Sequence, residues 1–437
     1  MTLAKIKEFY FEKGKYIVLA AITALLFFAN FWDPLWIVAA GVCGLFYATC
    51  TITELFCFVM YFELFSTWDL FYVANVLTAF VCLTVRYIIH VVKKEKKIFV
   101  LPLAITAFIV LLFGCVHYHI NLDGFSKGGV LVGILFLMYY VFVYHKEIDL
   151  NKCYKFLTIG MIVSLVLGLI SLLFSNPLQS IFYVDSHSYK RLQLYAFHTN
   201  FLAMLCLFNI AYYIYKIVNG KENVVTNVLA IVLSTIIGVL TLSKAFLLLF
   251  AAMVCYFLIW LVLKYKKQSW KFVLPIIIAA CLFVAIFHEF VFDIVKRFLA
   301  YDTGSLVSQL TTGRTTIWKT YFEYSTSSIL KILFGVGLFT KDLISVGPHS
   351  VLLFLFYRVG VFGMVTFGVL VWSYFKSSTT KIKITFKNML PVLLWIVVAL
   401  EEMVFSERFA FFLVFAIMLL VFDNKENKKV EGDVDKN

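Results

Sequence analysis

The chain has 437 residues, 62% of them hydrophobic and 14% charged, with a mean hydropathy of +0.94. A water-soluble globule of this length cannot bury that much apolar surface, so the composition excludes an ordinary soluble enzyme and indicates a polytopic membrane protein. The formal net charge of +13 comes from short basic clusters between apolar runs, a positive-inside placement that argues against nucleic acid as a partner.

A basic amphipathic segment, 1–15, leads into the first apolar run. A span needs about 20 apolar residues, fewer where neighbouring protein covers part of the helix. On that measure the predicted spans are 16–31, 34–50, 52–66, 71–92, 98–116, 128–145, 154–174, 198–217, 224–241, 245–263, 271–290, 350–375, 388–405 and 408–422. The third, with Glu54 and Glu63, is the weakest. The fold class is therefore all-α, a membrane bundle of about 12–14 spans, with 1–422 as one transmembrane domain and 423–437 as a polar, disordered tail. Most of the 38 Lys and Arg residues fall on alternate connectors starting with the N-terminal one, which predicts both termini in the cytoplasm. The long polar segment 291–350 is then an extracytoplasmic loop carrying short helices. The 9 cysteines form no CxxC pair and mostly lie inside apolar runs, so neither a disulfide framework nor a zinc site is expected, and no cofactor is predicted.

Basic residues on the outer face run against the positive-inside bias and need a partner or a task. Four places qualify. Lys190, Arg191, His198 and Asn200 lie in SYKRLQLYAFHTNFLA before the eighth span. Lys244 lies in the short turn TLSKAF, and Arg314 begins GRTTIW, whose threonines suggest a helix start. His349 stands in GPHS at the mouth of the twelfth span, with Arg358 inside that span. Arginine forks and helix N-termini suit the oxygens of a lipid diphosphate, and a neutral histidine suits removal of a proton from an attacking sugar hydroxyl.

Together GRTTIW, LFGVGLF (333–339) and GPHSVLLFLFYRVGVFG (347–363), after RLQLYAFHTNFLA and LTLSKAFL, resemble the O-antigen ligase and polysaccharide polymerase superfamily of bacterial envelopes. The resemblance covers 189–363 by motif and the first half by architecture alone. It implies an inverting, metal-independent integral-membrane glycosyltransferase of the bacterial inner membrane, using undecaprenyl-diphosphate-linked oligosaccharide as donor. His349 would be the base, Arg314 the loop arginine, Arg191 a diphosphate ligand, and Lys244 a replacement for the usual turn arginine. Lysine is a point charge, so two-pronged phosphate binding at that corner is in doubt.

Plainer readings stand beside these. Lys190 is an ordinary loop cation, Lys244 is equally well a snorkelling helix anchor, and the plain reading of Arg314 is a helix cap or a cation stacked on Trp318. His198 and Asn200 serve as the start of their span, and Arg358 forms a structural pair with Glu401 or Glu402. Trp318, Tyr321 and Tyr324 offer a stacking platform for a glycan. The reading adopted is a repeat-unit polymerase for capsule, exopolysaccharide or O-antigen, working among membrane lipids and beside a flippase and a chain-length regulator. A ligase acting on a different acceptor is the alternative, and a lipid-linked glycan transporter the reading from another class.

Overall fold

The computed structural model describes residues 14–29, 31–67, 69–94, 140, 143–144, 147–173, 181–184, 189–196, 198–220, 224–299, 314–337, 342–344, 347–348 and 350–377. These are mostly helical, and four helices are long and apolar enough to cross a membrane: Val73–Val92, Leu150–Ser171, Thr199–Val218 and Lys244–Gln268. Of the predicted spans, 98–116, 388–405 and 408–422 lie outside the described residues, as does nearly all of 128–145. Contacts divide the chain into two compact units, Met1–Ile98 with Leu137–Leu202, and Phe99–Phe136 with Ala203–Asn437.

The first unit contains α1 (Lys15–Phe28), α2 (Leu35–Thr49), α3 (Ile52–Phe62), α4 (Asp69–Val92) and α5 (Leu150–Ser171). α3 is the predicted third span, and at 11 residues it is only about 16 Å long, roughly half a hydrocarbon core. Its apolar residues are buried on all sides, which makes it an interior helix packed on α5. A Cβ on Gly160 would lie 2.8 Å from Leu64 and 3.1 Å from the Tyr61 carbonyl, so glycine is what allows the close approach of α5. The N-terminus of α3 is closed by a capping box between Thr51 and Glu54, and Glu54 also accepts from Lys15 Nζ at 2.5 Å. Arg86 of α4 donates to the Tyr47 and Ala48 carbonyls, satisfying the last turn of α2. Large exposed side chains such as Leu45, Leu77, Val85 and Ile162 form the kind of outward apolar surface that lipid accepts and water does not.

Between α5 and α6 (Thr199–Val218) the chain makes a two-stranded antiparallel hairpin that the apolar pattern does not announce, β1 (Phe182–Val184) paired with β2 (Lys190–Leu192) in the register Tyr183↔Arg191. Gln193 and Leu194 both donate to the Ile181 carbonyl, and Thr67 ties the following turn through the Tyr195 and Ala196 carbonyls. Burial pushes the Tyr195 phenol up, so it stays protonated and donates to the Leu167 carbonyl. α6 is 94% buried, the most enclosed of the four long apolar helices.

The second unit continues with α7 (Val224–Leu240), α8 (Lys244–Tyr265), α9 (Trp270–Ile286), α10 (His288–Leu299), α11 (Arg314–Ser325), α12 (Ile329–Phe334) and α13 (Val351–Ser377). The described part of the predicted polar loop therefore contains helices α10 to α12, and the end of α12 is tied to α13 by a backbone crossing. Gly360 leaves the helical region at φ 59°, ψ −167° and breaks α13. Across this break the Tyr357 and Arg358 carbonyls accept from the amides of Val336 and Gly337, at 2.8 and 3.0 Å. Gly335, at φ 73°, stops α12 directly against them. A Cβ on Gly335 would lie 2.5 Å from the Arg358 carbonyl carbon, and one on Gly360 would lie 2.5 Å from the Gly335 nitrogen. The glycines of LFGVG and YRVG are thus required by one contact.

Gly360→Ala should destabilise the protein by at least about 1–2 kcal/mol from the left-handed backbone alone, with the steric clash added. Gly368, in the same helix with open space around its Cβ position, is the control, and its alanine variant should be neutral or slightly stabilising. Thermal unfolding followed by fluorescence-detected gel filtration separates the two. Equal behaviour of both variants would mean that the crossing is not formed.

Candidate functional site

In the first unit the structure brings together three of the residues singled out from the sequence. Arg191 is buried on β2, with 6% of its surface exposed, and its Nη2 donates to Asn200 Oδ1 at 2.8 Å. The Asn200 amide in turn donates to His198 Nδ1 at 3.1 Å. His198 is therefore the N-cap of α6, its ring nitrogen accepting from the second helical amide. That bond assigns the neutral imidazole its proton on Nε2. The Tyr183 ring lies 5.9 Å from the His198 ring, so the hairpin and the helix start share one polar corner. Lys190, next to Arg191, is exposed, in keeping with its reading as a loop cation.

The second unit holds the other cations. Ser243 caps α8 by accepting from the Phe246 amide, and Leu242 adopts φ 50° to turn the chain between α7 and α8. Lys244 is then the first residue of α8 and is only 8% exposed. Its burial speaks against a snorkelling anchor, whose ammonium should reach out to water. Arg314 likewise is the first residue of α11 and half-buried. The first turns of α6, α8 and α11 contain no acidic residue. A helix N-terminus carries about half a positive charge, so a cation there costs about 0.3–1 kcal/mol where an acid would gain the same. Three helix starts combined with basic side chains thus make electropositive corners whose natural complement is an anion.

His349 lies outside the described residues; Gly347, Pro348 and Ser350 flank it. Ser350 lies on an open apolar groove of about 580 Å³ between α11 and α13, walled by Trp318, Phe322, Leu352, Phe356 and Met364, with Lys319 as its charged member. The stacking platform expected from the aromatic residues of α11 is only partly available. Tyr321 is fully buried against Tyr357, ring centroids 5.0 Å apart, and Tyr324 lies under Lys331 Nζ at 3.6 Å. Trp318 remains on the groove.

Arg358 has no exposed surface, and its Nη2 bonds Asp342 Oδ1 at 2.7 Å, with the Phe354 and Tyr357 rings at 5.3 and 5.7 Å from its Cζ. The residues Glu401 and Glu402, expected as its partners, lie outside the described residues. The sequence reading overlooked Asp342, which sits in the polar loop with no motif around it. An arginine inside an apolar span was the available signal that a carboxylate had to be near. This pair pins the 342–344 segment to α13, two residues from the helix break. Among the described residues no group of His, Cys, Asp and Glu forms a candidate metal site.

Asp342→Ala, which leaves the Arg358 guanidinium buried with its carboxylate gone, should cost about 3–5 kcal/mol. Asp342→Ala combined with Arg358→Met should recover most of that loss. A double-mutant cycle on unfolding midpoints in detergent measures the coupling, and simple additivity would show that the two side chains do not interact.

Comparison of the chain with protein-family models, with curated proteins and with solved structures gave no match.

Proposed function

We propose that the protein is a membrane glycosyltransferase that polymerises lipid-linked repeat units at the outer face of a bacterial inner membrane. The observation that carries this reading is that Arg191 of β2 reaches Asn200 in the first turn of α6, and that Lys244 and Arg314 are the first residues of α8 and α11, none of these three first turns holding an acid. Cation and helix dipole reinforce each other at each start, an arrangement that favours diphosphate oxygens and disfavours a neutral ligand. The apolar groove beside Ser350 supports a donor whose diphosphate is attached to a long hydrocarbon chain.

In this reading the acceptor sugar hydroxyl attacks the anomeric carbon of the donor from the face opposite the diphosphate. His349 takes the hydroxyl proton, the new glycosidic bond forms with inversion, and the carbon–oxygen bond to the diphosphate breaks with its electron pair leaving on the phosphate. The cations stabilise that departing charge, so their contribution is largest in the transition state. Arg191 is held in line by Asn200, which His198 orients through the helix start. These two act on the arginine and not on the sugar. Undecaprenyl diphosphate is the donor carrier of the reading, and a flippase and a chain-length regulator are its expected companions.

Purified protein incubated with lipid-linked repeat units should yield a ladder of longer glycans on a gel. His349→Ala should lower the rate by about 10²–10⁴, the span typical of losing a general base. Arg191→Ala should lower it by on the order of 10²-fold, with little rescue by Arg191→Lys, because lysine cannot form the two-pronged contact. Near-normal chain lengths in the His349 variant would remove that residue from the mechanism. Transfer only to a different acceptor would identify a ligase, and movement of the lipid across the membrane without a new glycosidic bond would identify a transporter.

A further inference from the structure

Helix α10 is built unlike the apolar helices around it. At about 3.6 residues per turn, its sequence HEFVFDIVKRFL sets Glu289, Asp293, Lys296 and Arg297 on one narrow arc and its apolar residues on the remaining wide one. Part of that wide arc faces outward. Phe292 is 58% exposed and Val295 47%, while Val291 and Ile294, further round, are half-buried. Lys296 Nζ lies 4.4 Å from the Phe292 ring centroid, so its stem runs along the border of the two arcs and its ammonium sits over that ring at the edge of the apolar stripe. A lysine at a membrane surface has the same geometry.

The exposed stripe of α10 continues a surface that begins on α9. α9 has one charged residue, Lys271, and exposes Ile277, Ile278, Leu282, Val284 and Ile286. One residue, Phe287, joins the two helices; its carbonyl accepts from Val291 at 2.9 Å, and its side chain is also exposed. Between the apolar surface of α9 and Phe292 and Val295 the helical spacing sets exposed His288, whose ring has an apolar body and a polar tip suited to a headgroup border. The polar arc of α10 is balanced, with two acids and two bases, so nothing in its charge selects an acidic or a basic protein partner. Its balance of one apolar and one polar face is that of a helix lying in a bilayer surface.

We infer that α10 is an interfacial helix whose occupant is the lipid bilayer itself, with Phe292 and Val295 among the upper acyl chains and Glu289 and Lys296 in the headgroup layer. The inference does not depend on glycosyl transfer, only on α9 being a membrane helix. If the proposed function also holds, the segment carrying Arg314 and His349 departs from the headgroup layer, the depth at which a lipid diphosphate resides.

The test uses the full chain, purified and reconstituted into vesicles of equal parts phosphatidylethanolamine and phosphatidylglycerol. Phe292, Val295, Asp293 and, as a reference on α9, Leu282 are replaced singly by p-benzoylphenylalanine, and each variant is checked for a monodisperse gel-filtration peak. After illumination, intact-mass measurement should find phospholipid adducts at 282, 292 and 295, with a yield several-fold lower at 293, which the helical spacing sets on the polar arc. Val295 serves as the second readout if the Phe292 variant fails to fold. A covalent dimer formed from 292 or 295 would overturn the inference, since a second copy would then cover the face. Lipid adducts at 282 with none at 292 and 295, or equal yields at 293 and 295, would overturn it as well.

Discussion

The packing of α12 on α13 in the second unit turns on a contact in which two backbones touch without side chains between them. Gly335 and Gly360 are both left-handed, and each sits where the other's chain would collide with any Cβ. Because α13 breaks at Gly360, its Tyr357 and Arg358 carbonyls lose their helical partners and accept from Val336 and Gly337 instead. Unpaired backbone groups in a low-dielectric interior cost several kcal/mol each, so the break and the incoming segment stabilise each other and neither is expected alone. Two further contacts lie beside this crossing. Tyr321, Val336 and Tyr357 close a small core beside it, and the Arg358–Asp342 pair fastens the segment that precedes His349.

The cations follow a second constraint. In a chain this apolar a buried charge persists only where something balances it, and the structure separates two solutions. Arg358 is balanced internally by Asp342 and is wholly enclosed, which suits a fastening and not a ligand contact. Arg191 donates to the neutral oxygen of Asn200. Lys244 and Arg314 meet the positive ends of their own helices. A cation at a helix start adds to the positive end of the helix and raises the local potential.

Helix α10 and the apolar groove place the same requirement on the surroundings. Both present exposed hydrophobic area beside charged residues, Lys296 in one case and Lys319 in the other. Such borders are stable where water meets hydrocarbon. Both lie within the stretch of chain from α10 to the start of α13.

The sequence by itself determined the helical class and, among the described residues, most positions of the apolar helices, because apolar runs are local properties that hydrocarbon burial makes legible. It also identified Arg191, His198 and Asn200 as members of one cluster through their close spacing. Tertiary structure alone decided the rest. α3 has the composition of a span but is an interior helix, since the same apolar residues serve lipid and protein equally and only packing against α5 distinguishes them. The hairpin of β1 and β2 is too short to give a period. His198 and Asn200 were assigned as cap and orienter by two hydrogen bonds that no spacing specifies. Asp342 found Arg358 across a backbone crossing, because a buried charge needs a partner in space and the sequence states only that the charge is there.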